Sequence, residues 1–396
     1  GRFRPTAPFP VHCRTLVTGL SGEHSSMKVI CDRSALVEAV NHISGVVASR
    51  TPSPVLQCVR FSCADGVLTL SATDLEVGLR LSVEQVDVQE DGEALIPGDK
   101  LAQIVRTSDD TTLTLHTEDN ALHIRGADAH FTLHGYDAKE APEVREFTED
   151  AVDCEIDAGT FHGLISRTLF AAAAEHSRYA INGILFERKG KKLRMVATDG
   201  RRLAVAYGQC ERGEGDATCI LPAKALNLVN KLIRDPDARV RVQIEENQAL
   251  FSIGDGPAAA VLSTNLVEGS FPPFEDVIPK DQDKRVTFEV SVLRSAIRRA
   301  ALLTNEESKG VRMSFADDRL TLTSRAPEMG EAEIQVDATE YDGEPLEIGF
   351  NPGFITDALK VIDEGQVIIE LKAPNKPGVI KTGNEFTYVV MPVNLS

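Results

Sequence analysis

Hydrophobic and polar positions alternate in short runs along much of the chain. Residues 184–187 and 193–197 are largely apolar, and the turn between them, residues 188–192, is polar and contains Gly190. Two such runs joined by a short Gly-containing turn predict a β-hairpin. Six other stretches predict α-helices, at residues 33–47, 99–108, 159–174, 223–234, 291–303 and 352–362. The pattern therefore predicts an α+β fold whose sheets are mainly antiparallel.

The end of the second hairpin strand has its own turn signal, the sequence ATDG at residues 197–200. Gly200 can adopt a left-handed backbone, and Asp199 can accept hydrogen bonds from the backbone of its own turn. A further strand is expected to begin near Leu203.

This strand signal occurs three times, as VLTLSATD at residues 67–74, LRMVATD at 193–199 and RLTLTSR at 319–325. A second landmark recurs in the same order, as LIPGDKL at 95–101, ILPAKAL at 220–226 and, more weakly, IGFNPGF at 348–354. Recurrence at a fixed interval indicates repetition of one structural unit. The sequence therefore predicts three similar α+β domains, each with two helices.

The expected domain boundaries follow from these repeats and from two charged, Pro-bearing connectors. Residues 1–26 are rich in Arg, Pro and Gly and do not fit the repeat. We interpret them as a disordered leader or a vector-derived extension rather than as an organelle-targeting segment, because they lack amphipathic periodicity. The three domains are expected at residues 27–150, 151–280 and 281–396.

Composition places the chain among soluble globular proteins, with 42% hydrophobic and 26% charged residues. No apolar run approaches the length of about 18 residues that a membrane-spanning helix needs. The seven cysteines form no Cys-x-x-Cys pair, so we expect them to be reduced, buried side chains rather than metal ligands or a disulfide framework.

Charge is segregated between the expected helices and the rest of the chain. The net charge is −18, which by itself argues against binding a polyanion. The six helical stretches nevertheless contain eleven Lys or Arg residues and only three acids. If the helices share one side of the molecule, they form a basic surface on an acidic body. The alternative is that each helix simply has an ordinary solvated face.

Five motifs, in order, resemble the bacterial β sliding clamp family, the processivity subunits of the replicative DNA polymerase. The resemblance runs from Met27 to the C-terminus without large gaps. The motifs are RYAING at residues 178–183, VATDGRRL at 196–203, GSFPPFEDVIP at 269–279, NEESKGVR at 305–312 and YVVMP at 388–392.

The resemblance implies three clamp domains per chain and a head-to-tail ring of two chains around duplex DNA, which is held without sequence preference. By similarity Arg50 and Tyr179 are expected DNA contacts. The basic helices would add the remaining contacts to phosphate, which we expect from Lys100, Arg106, Lys224, Lys231, Arg234, Arg294 and Arg298. Glu175 stands where relatives often have a polar or amide residue.

The joint between the two chains would lie between the first and third domains. Strand pairing there has a physical motive, because open sheet edges invite aggregation. The resemblance places Leu302 and Leu303 on one side of this joint and Phe131 and Leu133 on the other. The alternative is that these four side chains are simply part of the core.

The resemblance also implies a groove between the second and third domains that accepts short apolar peptides. Pro and Met suit such a surface because they are preformed and adaptable, respectively. The matching residues are Arg178, Ile181, Thr198, Gly200, Arg201, Leu203, Pro272, Val277, Val389, Val390, Met391 and Pro392. Arg201 replaces a frequent His, and the tail lacks a common basic residue. We expect both differences to alter peptide preference. Alternatively, the YVVMP run is a plain buried strand.

The partners that the resemblance implies are double-stranded DNA, a second copy of the chain, the polymerase α subunit, the clamp loader, repair polymerases, ligase and mismatch-repair proteins. Localisation is expected in the cytoplasm, at the nucleoid, without membrane contact. No cofactor and no metal are expected, and we expect no catalysis.

Two other functions remain open. A hydrolase or nuclease could use Asp74 and Asp199, although their equivalent places in two repeats favour a turn role, and Arg325 occupies that place in the third. No phosphate-binding loop, HExxH or GxSxG motif occurs. His130 and His134 are expected to be surface residues. The other alternative is a peptide-binding scaffold that ignores DNA.

Overall fold

The first repeat builds two sheets and two helices. The computed structural model describes residues 26–174, 180–213, 215–304, 310–363 and 365–395. In the first repeat the elements are β1 (Lys28–Asp32), α1 (Arg33–Ile43), β2 (Cys58–Ala64), β3 (Val67–Thr73), β4 (Val77–Val83), β5 (Val86–Glu90), β6 (Gly92–Pro97), α2 (Gly98–Thr107), β7 (Thr112–Glu118), β8 (Ala121–Arg125) and β9 (His130–His134).

The second repeat follows the same order of nine strands and two helices, and the two-residue strand β14 takes the place of β5. Its elements are β10 (Cys154–Asp157), α3 (Ala158–Leu169), β11 (Gly183–Lys189), β12 (Lys192–Thr198), β13 (Arg202–Gln209), β14 (Arg212–Gly213), β15 (Asp216–Pro222), α4 (Ala223–Leu232), β16 (Arg239–Ile244), β17 (Gln248–Ile253) and β18 (Ala260–Asn265).

The third repeat again places one helix after its first strand and another near its middle. Its elements are β19 (Lys284–Glu289), α5 (Val290–Ala300), β20 (Val311–Ala316), β21 (Arg319–Ala326), β22 (Gly330–Asp337), β23 (Glu340–Asp342), β24 (Leu346–Phe350), α6 (Pro352–Lys360), β25 (Gln366–Leu371), β26 (Gly378–Thr382) and β27 (Phe386–Val390). The α+β class and the three repeated units are confirmed.

Helix starts follow from local sequence, because side-chain oxygens there accept otherwise unpaired backbone N–H groups. Asp32 accepts from the N–H of Ala35 at 3.0 Å, and Asp157 accepts from the N–H of Thr160 at 2.8 Å. The helices end earlier than the sequence predicts. Helix α1 stops at Ile43 instead of residue 47, since the backbone tightens into three-residue turns, with Val46 N donating to Ile43 O at 3.0 Å.

The strands form four sheets in which all pairings between described strands are antiparallel. A five-stranded sheet has the order β5-β1-β7-β8-β9, and a four-stranded sheet has the order β22-β21-β20-β24. The other two sheets each have nine strands and cross from one repeat to the next. They are joined where β4 pairs with β18 and where β13 pairs with β27.

Ion pairs reinforce both inter-repeat seams. Lys224 pairs with Asp74 across the first seam, and Arg234 pairs with Glu38 at 2.6 Å. At the second seam Arg167 pairs with Glu385 at 3.0 Å. A main hydrophobic core runs through all three repeats, and a smaller apolar cluster lies at the second seam. The seams are therefore continuous in backbone pairing as well as in side-chain packing.

Two sheet edges in the described chain lie far apart in sequence and belong to the smaller sheets. Strand β9 ends the five-stranded sheet and β22 ends the four-stranded sheet, each with a neighbour on one side only. Unpaired edges present free N–H and C=O groups that can add another strand.

The six described cysteines are buried and free of disulfides, as the sequence predicts. Burial raises the pKa of the Cys58 thiol to about 11 and that of Cys31 to about 12, so both thiols are protonated at neutral pH. Within the described part of the chain, no helix has the length and apolar character needed to cross a membrane.

Candidate functional site

The seam between the second and third repeats brings most of the expected peptide-binding residues together. Strands β13 and β27 pair there, with Leu203 opposite Val389 and Arg202 opposite Val390. The backbone N–H of Met391 donates to Arg201 O at 3.0 Å, which ties the end of β27 to the turn before β13. Arg178 and Tyr179 lie outside the described residues.

The turn before β13 is fixed by its own side chains. Oδ1 of Asp199 accepts from the N–H groups of Arg201 at 3.0 Å and Arg202 at 3.1 Å. Thr198 Oγ1 accepts from Gly200 N at 3.1 Å, and Gly200 has a φ of +84°. The predicted turn role of Asp199 and the left-handed conformation of Gly200 are both confirmed.

The floor of this region is a small apolar cluster. Leu203 is 3% exposed and Val389 is 1% exposed, and both pack in it. Its other buried members are Ala180, Leu185, Val196, Val205, Ile220 and Phe274, and Val267, Phe271 and Ile278 pack against it. Several residues of this cluster, among them Leu185, Ile220 and Phe274, line a cavity at the surface.

Val390 requires a correction, because its side chain does not belong to this surface. Successive residues of a strand point to opposite faces, and Val390 packs into the main core with 1% exposure. The expectation that Val389 and Val390 both line a groove is therefore wrong for Val390. The interpretation of YVVMP as a buried strand holds for Tyr388, Val389 and Val390 but not for the two residues that follow.

Exposed apolar side chains lie at the rim of the same region. Val277 is 48% exposed and Met391 is 40% exposed, whereas Ile181, Pro272 and Pro392 are half-buried. These five side chains are the expected peptide-binding residues that offer apolar surface directly to solvent.

Two cavities are lined in part by three of the expected residues, Pro272, Met391 and Pro392. One, of about 880 Å³, is lined by Pro272 together with residues that include Phe271 and Phe274. The other, of about 720 Å³, is lined by Met391 and Pro392 together with Arg312, Glu347, Ile348, Gly349, Pro374, Asn375, Val393, Asn394 and Leu395. Arg312, which lies in the motif at residues 305–312, is thus a cavity residue that was not among the expected site residues.

The C-terminal tail helps to shape the second cavity. Val393 N donates to Gly349 O at 2.9 Å, which continues the backbone pairing beyond β27. A Cβ at position 349 would lie 2.6 Å from Leu395 Cγ, so a glycine is needed where the tail crosses β24. The tail is thus packed against the third repeat.

Arg202, which was not among the expected site residues, connects this region to helix α6. It donates to Asp199 Oδ2 at 3.0 Å, to Asp357 Oδ2 at 2.9 Å and to the carbonyl of Phe170 at 2.8 Å. Its guanidinium also lies over the Phe354 ring, 4.5 Å from the centroid. Beneath it the buried Tyr388 hydroxyl donates to Phe354 O at 3.0 Å, and burial raises the Tyr388 pKa.

The basic residues expected to contact DNA fall into two groups within the described part of the chain. The first group is exposed and forms no ion pair with a described carboxylate, and it comprises Arg50, Lys100, Arg106, Lys231 and Arg298. Arg106 makes one hydrogen bond, from Nε to Asn41 Oδ1 at 2.7 Å. These cations are available to a phosphate backbone.

The second group has structural partners. Arg294 donates to the carbonyls of Leu359 at 2.7 Å and Ile362 at 2.6 Å, which closes the C-terminal end of α6. Arg234 lies two residues beyond the end of α4, not within it as expected, and pairs with Glu38. Lys224 pairs with Asp74. The sequence could not reveal these partners, because each lies far away along the chain.

The residues expected at a joint between chains lie on β9 and in the turn after α5, which packs against β22. Phe131 on β9 is 38% exposed, and Leu302, in the turn after α5, is 74% exposed. Leu133 and Leu303 are half-buried. The alternative that all four are core residues is therefore wrong.

The two carboxylates that a hydrolase could use, those of Asp74 and Asp199, have structural roles. Asp74 Oδ1 accepts from the N–H groups of Glu76 at 3.0 Å and Val77 at 2.7 Å, and its other oxygen meets Lys224. Asp199 plays the same part in the second repeat. In the described ranges, no group of three or more His, Cys, Asp or Glu is placed to hold a metal ion.

Comparison with known proteins matches the whole repeat region. Family models of the DNA polymerase III beta subunit match its N-terminal domain at residues 27–145, its central domain at 155–273 and its C-terminal domain at 275–394. A beta sliding clamp from Vibrio cholerae serotype O1 is 32% identical over 372 residues, covering 93% of this chain and 100% of the relative.

Two solved structures have the same fold. A sliding clamp from Pseudomonas aeruginosa bound to griselimycin has 32% identity and a TM-score of 0.84, covering 93% of this chain and 100% of its own. The DNA polymerase sliding clamp from Bacillus subtilis has 25% identity and a TM-score of 0.85, covering 94% and 100%.

Proposed function

The chain belongs to the DNA polymerase III β subunit family, and from this premise we propose which of its surfaces close a ring, contact DNA and bind partner proteins. It is a DNA sliding clamp that supports polymerase processivity, and its role is not catalytic. Its partners are accordingly DNA, a polymerase and a second copy of the chain.

The observation that carries the ring proposal is the count of strands in the four sheets. Each inter-repeat seam completes a nine-stranded sheet, whereas the two outer sheets have five and four strands and end in open edges at β9 and β22. If β9 of one chain pairs with β22 of another, the joint becomes a third nine-stranded sheet. Two such joints close a ring of two chains and remove these two open edges.

Apolar side chains at the joint support the same pairing. Leu302 and Leu303 would contribute from the end of α5, and Phe131 and Leu133 from β9. An exposed Leu or Phe contributes about 1.5–3 kcal/mol when it is fully buried, so these residues would stabilise the joint substantially.

DNA would be held in the ring by weak contacts to phosphate. The exposed cations Arg50, Lys100, Arg106, Lys231 and Arg298 are proposed to face it, with Tyr179 added by the resemblance. Lys224, Arg234 and Arg294 already have partners within the chain, and we propose that they contribute mainly electrostatic potential. Contacts to phosphate carry no sequence information, which suits a protein that slides.

Partner proteins are proposed to bind at the seam that carries Ile181, Pro272, Val277, Met391 and Pro392, with Thr198, Gly200, Arg201 and Leu203 beneath or beside them. The ligand would be a short apolar peptide, and Arg178 is added by the resemblance. The proposed sources are the polymerase α subunit, clamp loader, repair polymerases, ligase and mismatch-repair proteins. We propose that griselimycin, which is bound by the Pseudomonas relative, also binds this surface, and we use it as a defined probe.

We place the domains at residues 27–150, 151–280 and 281–396, after an extension at residues 1–26. The protein would work in the bacterial cytoplasm, at the nucleoid through its hold on DNA.

Retention on DNA of defined topology tests the proposed ring. The clamp would be placed on nicked circular DNA by its cognate loader, and the circle would then be linearised at constant salt. Release on linearisation is expected, because a ring slides off a free end. Persistence after cutting would overturn the ring and point to ordinary surface binding. A loader-dependent signal on a closed circle is the control that loading has occurred.

A further inference from the structure

A row of histidines crosses the outer face of the five-stranded sheet and ends on β9, the strand proposed to form the joint between chains. His116 on β7 lies directly opposite His123 on β8, and His123 lies opposite Thr132 on β9. His130 is two residues before Thr132, so it shares that face of the strand. The His123 and His130 ring centroids are 5.4 Å apart.

Two ring nitrogens in this row are separated by the span of a metal chelate. His123 Nδ1 lies 3.3 Å from His130 Nε2. Two imidazole nitrogens bound to one tetrahedral zinc ion, each at about 2.0–2.1 Å, are roughly 3.3–3.4 Å from one another. We propose that His123 and His130 form a two-histidine site for a divalent transition-metal ion, with zinc as the best-fitting ion.

The other ring nitrogen of His123 faces a carboxylate. His123 Nε2 lies 3.9 Å from a carboxylate oxygen of Glu118. The negative charge on that side favours the tautomer with hydrogen on Nε2, so that Nδ1 carries the lone pair. A metal would replace the present contacts of Nδ1 with His130 Nε2 and Thr132 Oγ1. The His123 side chain is only 19% exposed, so its ring is already held in place.

Solvent would complete the coordination. The described residues place no third His, Cys, Asp or Glu at this point, so water would fill the open positions. Thr132 Oγ1, 3.1 Å from His123 Nδ1, could hydrogen-bond to such a water. A site with two protein ligands binds more weakly than a structural zinc site with four.

The ion would link two strands that differ in their number of paired neighbours. Strand β8 is paired on both sides, whereas β9 is the edge strand and is paired on one side only. A metal held between His123 and His130 would therefore fasten the edge strand to the sheet. The effect applies to the separate chain, since in the proposed ring β9 gains a second neighbour in β22 of the other chain.

Zinc titration of the full chain by calorimetry tests the site. The wild-type chain is expected to bind one equivalent of zinc that both His130→Gln and His123→Gln lose. His134→Gln is the matched control, because His134 is an exposed histidine of the same strand, and it should keep that equivalent. Glu118→Gln should weaken binding by roughly tenfold, as expected for a residue that orients a ligand.

Two outcomes would overturn the proposal. One is equal zinc stoichiometry in wild type and His130→Gln. The other is loss of the same equivalent in His134→Gln. His12 and Cys13 are present in every variant, so any zinc that they bind contributes equally to each titration and does not affect the comparison. Thermal unfolding gives a second readout, in which zinc should raise the midpoint of the wild type but not of His130→Gln.

Discussion

Arg202 of β13 and Asp357 of α6 form an ion pair with a nitrogen–oxygen distance of 2.9 Å that joins the second repeat to the third. The Arg202 side chain is 11% exposed, and it also holds Asp199 in the turn beneath the proposed peptide surface. One guanidinium therefore determines both the geometry of the turn and the attachment of α6.

Replacement of Arg202 by alanine is expected to destabilise this seam. The change leaves Asp199 and Asp357 partly buried without their cation, so we expect a loss of about 2–3 kcal/mol in the free energy of unfolding. Chemical denaturation followed by circular dichroism measures this. Arg201→Ala is the control, because Arg201 is exposed, and it should change stability by less than about 0.5 kcal/mol. Equal losses in the two variants would contradict the assigned role.

Two arginines of α5 are expected to behave differently. Arg298→Ala should weaken DNA binding, with a reduction of about one in the slope of log affinity against log salt, and leave stability nearly unchanged. Arg294→Ala should instead lower stability by about 1.5–3 kcal/mol, because it removes the hydrogen bonds of a charged group to the end of α6. DNA-binding titrations at several salt concentrations, paired with denaturation, separate the effects. The assignment fails if Arg294→Ala is as stable as wild type.

Leu302→Asp is expected to weaken the joint between two chains. A carboxylate at this 74% exposed position would be buried on dimerisation without a partner, so the dissociation constant should rise at least about tenfold. Sedimentation velocity over a range of concentrations measures the shift toward monomer. Leu75→Asn is the control, since Leu75 is 65% exposed but lies in the turn between β3 and β4, away from both open edges. A similar shift in both variants would argue against the proposed joint.

Met391→Ala is expected to weaken binding of griselimycin by about tenfold, because a partly exposed Met that packs on a ligand loses most of its apolar contact. Met329→Ala is a control of the same residue type, since Met329 is 64% exposed at the turn before β22. Calorimetric titration of both variants measures the difference. Unchanged affinity in Met391→Ala would move the binding surface away from the end of β27.

His42 should make stability depend on pH. Burial, followed by the nearby Arg234 and Lys231, lowers the His42 pKa below its usual 6.5, although Glu38 opposes them. Between the lowered pKa and 6.5 the unfolded chain binds more protons, so stability falls as pH drops through that window. His42→Gln should lose less stability than the wild type between pH 7 and pH 5.5 in thermal unfolding. An identical decline in both proteins would exclude this role for His42.

The sequence was sufficient for features that depend on neighbouring residues. The α+β class, the three repeats, the six helices and the turn at Asp199 and Gly200 all follow from local patterns of side chains and glycine. Helix ends were less accurate, as at α1, because the tighter final turns depend on packing rather than on propensity.

Features that depend on pairing between residues distant along the chain could not be predicted from local sequence patterns. No local signal indicates that β4 pairs with β18, or that Lys224 faces Asp74 across 150 positions. The same holds for the role of Arg294, which appears in sequence as one more basic helical residue. The alternation of β27 was visible, but only the pairing with β13 shows which face Val389 and Val390 each occupy.

The two nine-stranded sheets have a mechanical consequence for a ring of such chains. Bending at either seam within a chain would require breaking a row of backbone hydrogen bonds, together with ion pairs such as Arg202–Asp357. Each chain is therefore a stiff segment without an internal hinge at the seams. Any gap wide enough to admit a duplex must therefore form where two chains meet. The ring would open at a subunit interface, between two rigid protomers.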